Sequence, residues 1–251
     1  MKLSLVVPVY NEAPHLREFL EKLDAFDFGM PKEIIIVDDR SKDASWDIVS
    51  GFKFQSPVIL HRQELNQGKG AALRKGFALA TGEVIIVQDA DFEYDMADVP
   101  QLLTPIVSGK ADICFGSRFR KNGQQVHRTF HYLINRFLTL LSNMLSGLYL
   151  SDMETCYKAF RGEIIKNLVL ESNRFGFEPE VTAKIARLKV RVMEFPISYF
   201  PRNYLEGKKI GWKDGVAALF HIWKFNSEKR AEKIYLPTMP DKYKINKTQW
   251  L

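Results

Sequence analysis

Short apolar runs rich in valine and isoleucine alternate with amphipathic segments along the first half of the chain. The runs have the length and composition of buried strands, and strands are predicted over 3–9, 33–37, 58–61, 83–88 and 111–115. A segment over 14–26 carries apolar residues at helical spacing and is predicted to be a helix. Continuous apolar strands separated by helices are typical of a parallel sheet covered on both faces. The sequence therefore predicts an α/β fold.

Polar residues follow three of the predicted strands at the point where each strand ends. They are Asn11 and Glu12, Asp38 and Asp39, and Asp89 and Asp91. One such pair alone is equally typical of a turn or a helix cap. Ligands of open α/β sheets bind beyond the carboxyl ends of the strands, so three sets at three strand ends predict a binding site.

The Asp89-Ala90-Asp91 segment is the strongest candidate for metal binding. Two carboxylates one residue apart at a strand end can both reach a hard divalent cation such as Mg²⁺ or Mn²⁺, and Glu93 can supply a third oxygen. Such a cation would bridge a diphosphate and neutralise the charge that develops on it as it leaves.

A glycine-rich segment, Asn66-Gln67-Gly68-Lys69-Gly70, precedes a predicted helix that runs to about residue 80. Glycines allow a ligand to approach the backbone closely, and the amino end of a helix favours anions. The spacing is neither that of a P-loop nor that of the dinucleotide fingerprint. The segment is predicted to contact a nucleotide, with an ordinary glycine-rich connection as the alternative.

Residues 130–150 have the pattern of a long amphipathic helix, with apolar residues such as Phe137, Leu141 and Met144 at helical spacing. Two interpretations stay open from the sequence: the apolar side packs on the core, or it lies on a membrane surface. Residues 226–251 have scattered charge and weak periodicity, and are predicted to form a surface-running tail.

Composition and charge narrow the class of protein. The 251 residues are 46% hydrophobic and 26% charged, which is typical of a globular protein, and no apolar run is long enough to span a bilayer. Residues 1–110 hold 12 Lys and Arg against 17 Asp and Glu, whereas residues 111–251 hold 24 against 13. An acidic half suits a metal and a basic half suits phosphate or an anionic lipid surface. The two cysteines lack the spacing of a thiol pair, which predicts that the protein resides in a reducing cytoplasm.

Five motifs occur in an order that resembles glycosyltransferase family 2, and within it the polyprenyl-phosphate sugar transferases of the dolichyl-phosphate mannose or glucose synthase type. They are Pro8-Val9-Tyr10-Asn11-Glu12, Val37-Asp38-Asp39 with Ser41 and Asp43, Asn66 with Gly68-Lys69-Gly70-Ala71, Gln88-Asp89-Ala90-Asp91, and Gly116-Ser117-Arg118. The resemblance implies one GT-A domain over 1–225, with a nucleotide-sugar half (1–110) and an acceptor half (111–225). It also implies a nucleotide-sugar donor, Mg²⁺ or Mn²⁺, and inversion at the anomeric carbon.

The resemblance also assigns roles to individual residues. Those implied to contact the donor are Pro8, Tyr10, Asn11, Glu12, Val37, Asp39, Lys69, Asp89 and Ala90, together with Arg202 and Lys208 of a basic segment over 201–209. Asp89, Asp91 and Glu93 are implied to hold the metal, and Arg118 to lie near the reacting phosphates. A solvated basic loop is the alternative for 201–209. That segment lacks the Gly-x-Ser-Lys form associated with the dolichyl enzymes.

Asp152 and Glu154 stand where many family members carry an acidic motif on the acceptor side. A sugar hydroxyl acceptor needs a carboxylate base, whereas a polyprenyl phosphate is already an anion and needs none. Either residue is therefore a base in the first case and an orienting group in the second, and a helix cap is the alternative for both. The segment Phe177–Glu180 is a further candidate for the acceptor side.

The expected activity is transfer of a hexose from a GDP-mannose or UDP-glucose type donor to a polyprenyl phosphate, or to another glycan acceptor, in cell-envelope glycan biosynthesis. The expected location is cytoplasmic, with peripheral contact at the cytoplasmic membrane face. The alternatives are a soluble glycosyltransferase acting on a hydroxyl, a nucleotidyltransferase and a nucleic-acid-binding module. The last leaves the three acidic strand ends unexplained, so no nucleic acid is expected as a partner.

Overall fold

The computed structural model describes residues 1–119, 129–201 and 212–244. The strands in these residues are β1 (Leu3–Val9), β2 (Lys32–Asp38), β3 (Val58–Arg62), β4 (Val84–Val87), β5 (Ile113–Ser117), β6 (Lys158–Arg161) and β7 (Val192–Pro196). The α-helices are α1 (Ala13–Ala25), α2 (Ser45–Gly51), α3 (Lys69–Leu79), α4 (Val99–Val107), α5 (Thr129–Ser146), α6 (Gly162–Ile165), α7 (Phe177–Ile185) and α8 (Trp212–Ser227).

These strands form one mixed sheet in the order β3-β2-β1-β4-β6-β5-β7. β1 is parallel to β2 and β4, β2 is parallel to β3, and β5 is parallel to β7. β6 is antiparallel to both of its neighbours, β4 and β5. The predicted mostly parallel α/β fold is confirmed, and the five predicted strands are all present.

The sheet is buried on both faces. Leu5 and Val7 of β1 lie in the core beneath α1, whereas Val6 lies in a second core with Ala72 and Leu73 of α3. Because successive side chains of a strand point to opposite faces, both faces need apolar residues. This explains the continuous apolar runs.

Helix α5 presents part of its predicted apolar side to the surface. Phe137, Leu140 and Met144 are exposed, Met144 by 75%, while Thr139 and Ser142 of the predicted polar side are buried. Ile134 and Leu141, also on the predicted apolar side, pack against a small core that includes Leu138 and Ile222. Core packing is therefore confirmed for part of this side, and the membrane interpretation stays a prediction for the exposed part. The helix ends at Ser146, four residues before the predicted end, because Gly147 takes a left-handed φ of 76° that stops a helix.

Helix α8 packs against α5 and also has an exposed apolar stripe. Ala218 and Ile222 share a small core with Leu138 of α5. Val216, Phe220 and Trp223, three or four residues apart, are exposed on α8. In the described ranges, no helix is both long and apolar enough to cross a bilayer.

The region predicted to be a tail is anchored on the domain in its described part. Residue 226 lies inside α8, and two 3₁₀ turns follow at Ala231–Lys233 and Asp241–Tyr243. Ile234, Met239 and Tyr243 are buried. The Val169 and Lys189 amides donate hydrogen bonds to the carbonyls of Ile234 and Tyr243, respectively. The described residues after α8 thus run over the surface and are held to the domain by single buried side chains, which the weak periodicity did not reveal.

Candidate active site

The carboxyl ends of β1, β2 and β4 lie side by side. Val9 pairs with Asp38 across β1 and β2, and Val6 pairs with Val87 across β1 and β4. Among the described residues, the non-glycine residues with positive φ are Asn11, Arg40 and Phe92, and each follows one of these three strands. Non-glycine residues with positive φ have a strained backbone, and such residues are concentrated at functional sites. The predicted convergence of the strand ends is therefore present.

The turn after β1 is attached to the turn after β2. The Asn11 amide donates a 3.0 Å hydrogen bond to Ser41 Oγ, and Asn11 Oδ1 accepts a 2.8 Å bond from the Lys42 amide. The Glu12 amide donates to Ser45 Oγ at 2.9 Å. These hydrogen bonds join the two turns into one wall, and the residues predicted to contact the nucleoside lie in it or, like the fully buried Val37, in the core beneath it. They are Pro8, Tyr10, Asn11, Glu12, Val37 and Asp39.

Asp39 organises the glycine-rich segment. Its carboxylate is buried and accepts hydrogen bonds from the amides of Gln67 (2.8 Å) and Gly68 (2.6 Å), and from the side chains of Gln63 and Asn66. Burial raises the pKa of Asp39, and the amide bonds oppose only part of that rise. Gly68 has φ of 99°, and a Cβ there would lie 2.5 Å from the Asn173 carbonyl oxygen, so only glycine fits.

Lys69, the first residue of α3, lies in a cluster of polar side chains. Its Nζ is 3.0 Å from Asp89 Oδ2, 2.9 Å from Cys156 Sγ and 3.6 Å from Glu178 Oε1. Burial lowers the pKa of Lys69, but Asp89, Cys156 and Glu178 raise it, and the net pKa is well above the ordinary value. Lys69 is therefore a permanent cation here. Burial chiefly raises the pKa of Cys156, which stays a neutral thiol.

The predicted metal ligands are only partly brought together. Asp89 contacts Lys69, and Asp91 Oδ1 accepts a 3.1 Å hydrogen bond from the Glu93 amide. Glu93 Oε2 accepts a 2.9 Å bond from the Tyr199 hydroxyl. Within the described part of the chain, no three His, Cys, Asp or Glu side chains form a group that could hold a metal ion. The assignment of the three acids to a metal stays a prediction.

Arg118, directly after β5, is bound to Asp152 in a bidentate ion pair. Arg118 Nε and an Nη lie 2.7 and 2.8 Å from the two Asp152 oxygens, and the Arg118 amide also donates to Asp152. The guanidinium lies 5.1 Å from the Tyr199 ring centre, within cation–π range. Burial lowers the pKa of Arg118, but Asp152 raises it well above its ordinary value. Glu194 holds the turn that carries Asp152, because its carboxylate accepts hydrogen bonds from the amides of Ser151 and Asp152.

Glu154 differs from Asp152 in that its carboxyl group lacks such partners. Its Oε1 is buried and has no hydrogen-bond partner among the described residues. Burial, followed by the neighbouring Glu178 charge, raises the pKa of Glu154 to about 8, although Lys158 and Arg118 oppose the rise. At neutral pH the Glu154 side chain is therefore mainly a neutral carboxylic acid. The buried Lys158 amino group donates hydrogen bonds to the carbonyl oxygens of Met153 and Thr155.

Some residues of this site carry no clear sequence signal. Glu194 belongs to no motif, and Cys156 stands in the same acceptor-side segment as Asp152 and Glu154 without a role assigned to it. Glu178 stands in a segment that the sequence flags without ranking it. Arg202 and Lys208, predicted to contact the diphosphate, lie outside the described residues.

The sheet order, the strained strand-end turns and the acidic site together define a GT-A fold of the glycosyltransferase type. Two solved structures share it: glucosyl-3-phosphoglycerate synthase from Mycobacterium tuberculosis, in complex with Mn²⁺, UDP and phosphoglyceric acid, and TarS from S. aureus with UDP-GlcNAc. The first has a TM-score of 0.65 at 16% identity over 92% of this chain and 80% of the other. The second has a TM-score of 0.58 at 17% identity over 93% and 69%.

The chain belongs to glycosyltransferase family 2. The sequence model described as Glycosyl transferase family 2 matches residues 4–169. The chain is 30% identical to the dolichol-phosphate mannosyltransferase of Pyrococcus furiosus, over 89% of this chain and 63% of that protein. It is also 30% identical to the undecaprenyl-phosphate mannosyltransferase of Micrococcus luteus, over 87% and 92%. It therefore spans less than two thirds of the length of the first relative and most of the second.

Proposed function

We propose that the protein is an inverting glycosyltransferase that moves a hexose from a nucleotide sugar, of the GDP-mannose or UDP-glucose type, to a polyprenyl phosphate at a membrane surface. The names of its relatives support the acceptor class, since they include dolichol-phosphate and undecaprenyl-phosphate mannosyltransferases. The observation that carries the proposal is the outward-facing apolar side of α5, which a soluble acceptor would not require.

The donor would lie across the carboxyl ends of β1, β2 and β4. The nucleoside would rest on the wall formed by the turns after β1 and β2, and Lys69 and Arg118 would face the diphosphate. Asp89 and Asp91 are hard oxygen ligands that fit Mg²⁺ or Mn²⁺, with the remaining ligands coming from phosphate and water. A cation held there would supply positive charge to the departing diphosphate.

The transfer step needs little proton chemistry. A phosphate oxygen of the acceptor attacks the anomeric carbon from the side opposite the diphosphate, a new C–O bond forms, and the bond to the nucleoside diphosphate breaks with its electron pair leaving on oxygen. Attack from the opposite face inverts the anomeric centre. The permanent cations Lys69 and Arg118 stabilise the charge that develops on the diphosphate, an electrostatic form of catalysis.

The two acidic residues on the acceptor side suit an anionic acceptor. Asp152 is engaged by Arg118 through both of its oxygens, which leaves it poorly placed to accept a proton from a sugar hydroxyl. Glu154 is mainly neutral at pH 7, so it does not repel a phosphate and can donate a hydrogen bond to it. These states favour a polyprenyl phosphate over the alternative hydroxyl acceptor. Family membership favours glycosyl transfer over nucleotidyl transfer.

The acceptor of such a reaction is anchored in a bilayer, and the exposed stripes of α5 and α8 suit contact with one. Phe137, Leu140 and Met144 on α5 and Phe220 and Trp223 on α8 are exposed on two packed helices. Apolar helix faces of this kind enter the boundary between head groups and acyl chains. These exposed stripes support the proposal that the protein contacts a membrane surface peripherally, and the face we expect is the cytoplasmic one.

Vesicle binding and sugar transfer test this proposal. The double substitution Phe137→Ser and Trp223→Ser removes two exposed apolar side chains, each worth on the order of 1.5–3 kcal/mol when buried, so vesicle affinity should fall by at least about 10-fold. Transfer to undecaprenyl phosphate in anionic vesicles should fall with it, while transfer to a short, water-soluble prenyl phosphate should persist. Val107→Ser, an exposed apolar position on α4, is the matched control. Unchanged vesicle binding by the double variant would contradict the membrane assignment.

A further inference from the structure

Glu178 is a buried carboxylate in the first turn of α7, facing the first residue of α3. It is 5% exposed, and its Oε1 lies 3.6 Å from Lys69 Nζ. The amino end of a helix stabilises negative charge, which suits a carboxylate at this position. A distance of 3.6 Å is an ion pair but is too long for a hydrogen bond.

Lys69 therefore has two anionic neighbours at unequal distances. It hydrogen-bonds Asp89 at 3.0 Å and lies farther from Glu178. Its third close neighbour is the Cys156 sulfur at 2.9 Å, and a cysteine thiol carries no charge that would balance the ammonium. A buried ammonium without a counter-charge is strongly unfavourable, so Lys69 needs one of the two carboxylates at all times.

Asp89 cannot serve Lys69 and a divalent cation equally well. If Asp89 bound both, the Lys69 ammonium and the divalent cation would lie within a few ångströms of each other, and two positive charges at that distance repel. A movement of about 1 Å by the ammonium would shorten its contact with Glu178 to a hydrogen bond. Glu178 thus lies where it can bind the Lys69 ammonium when Asp89 binds a divalent cation.

We propose that Glu178 is a positioning residue that receives the Lys69 ammonium when Asp89 binds the cation of the donor complex. The inference rests on the proposed function, because it assumes that Asp89 is a metal ligand of the donor site. Held by Glu178, Lys69 stays beside the diphosphate instead of competing with the cation. Without Glu178, the ammonium remains on Asp89 and weakens metal binding.

The test is a titration of Mn²⁺ by electron paramagnetic resonance with saturating UDP or GDP, which does not depend on sugar transfer. Glu178→Gln should weaken Mn²⁺ binding by about 10-fold, and Glu178→Asp, which keeps the charge on a shorter side chain, should fall in between. In transfer assays, the Mn²⁺ concentration for half-maximal rate should rise by a similar factor. Glu171→Gln, a half-exposed acid paired with Lys224, is the matched control.

A double-mutant cycle with Lys69→Met separates the proposed route from a direct effect of charge. In the Lys69→Met background, Glu178→Gln should change Mn²⁺ affinity little, because the ammonium it receives is gone. An equal loss in both backgrounds would overturn the proposal, as would wild-type Mn²⁺ affinity in Glu178→Gln or no Mn²⁺ binding by the wild type. Failure of the wild type to glycosylate a polyprenyl phosphate would instead count against the acceptor assignment and leave the metal titration informative.

Discussion

Glu33 and Glu154 are glutamates near opposite edges of the same sheet, and their surroundings act on them in opposite ways. Glu33, at the amino edge, accepts hydrogen bonds from Ser4 Oγ (2.5 Å) and the Thr81 amide (2.7 Å) and lies 2.6 Å from Lys2 Nζ. Burial raises its pKa, but the hydrogen bonds outweigh burial and lower the pKa to about 2.

At the carboxyl edge of the sheet, the effects that raise the pKa of a glutamate outweigh those that lower it. Glu154 has a buried, unpartnered oxygen among the described residues and a second acid, Glu178, nearby, and its pKa is raised to about 8. Burial raises the pKa of both glutamates, so the opposite outcomes come from their neighbours: hydrogen bonds from Lys2, Ser4 and Thr81 lower the pKa of Glu33, whereas the charge of Glu178 adds to the effect of burial on Glu154. A fully bonded carboxylate stabilises the fold, whereas an underbonded one remains available to a ligand.

The largest expected effect comes from changing a carboxylate at the site edge. Asp89→Asn removes a predicted metal ligand and the closest anion of Lys69, and we expect transfer activity to fall by about 10³-fold, roughly 4 kcal/mol of transition-state stabilisation. The melting temperature should change by only a few degrees. Steady-state rates and thermal melts of the same preparation measure both quantities. Near-wild-type turnover by this variant would argue against the metal-assisted site.

The second effect concerns stability at the opposite edge. Because the folded pKa of Glu33 lies below its ordinary value of 4.5, its ionised form stabilises the fold above about pH 4.5, and this stabilisation is lost as pH falls through about 2. Glu33→Gln should therefore reduce the free energy of unfolding by about 3 kcal/mol at pH 7, with the deficit shrinking towards pH 2. Denaturant titrations at several pH values measure it. A deficit that does not depend on pH would mean that packing, and not charge, holds this residue.

The smallest effect distinguishes the two possible roles of Glu154. The carboxyl group is protonated below its pKa of about 8, so a hydrogen-bond donor to the acceptor phosphate gives a rate that falls as pH rises through 8. Glu154→Gln keeps a donor group and should retain activity within about 10-fold, without that fall. A general base would instead give a rate that rises through pH 8 and a loss of about 10²–10⁴-fold on substitution. A pH–rate profile with the soluble prenyl phosphate decides between them.

The sequence was sufficient for five strands of the sheet and for the edge at which the predicted site residues lie. Apolar runs ending in acids predict both parallel strands and a shared ligand edge, because a parallel sheet brings its carboxyl ends together. Asn11, Asp39 and Asp89 lie at that edge as predicted. The short strands β6 and β7 were missed because four or five residues carry too little periodicity.

The orientation of α5 could not be obtained from its own sequence. An amphipathic pattern gives the direction of the apolar side but does not say whether protein or solvent lies there. The decision comes from the turn that directly follows the helix. Thr139 Oγ1 accepts a hydrogen bond from the Met153 amide, and the Asn143 side chain hydrogen-bonds both the amide and the carbonyl of Leu150. The polar side is thus occupied by the acceptor-side turn.

The partners of the acidic residues were equally inaccessible. The pair of Arg118 with Asp152 spans 34 positions, and the contact of Lys69 with Glu178 spans 109. Local patterns identify which residues are charged, but only the fold shows which charge neutralises which. This is why Asp152 and Glu154, two positions apart and equivalent in the sequence, differ so strongly in the structure.

The reversed direction of β6 has a consequence for how such a protein can diversify. A strand that runs against its neighbours brings its amino end to the site, so the turn before it, and not the one after it, reaches the reaction centre between β4 and β5. That turn can change in length or composition while the β-strands beneath the nucleotide keep their register. Recognition of the molecule that receives the sugar is thereby separable from recognition of the one that supplies it.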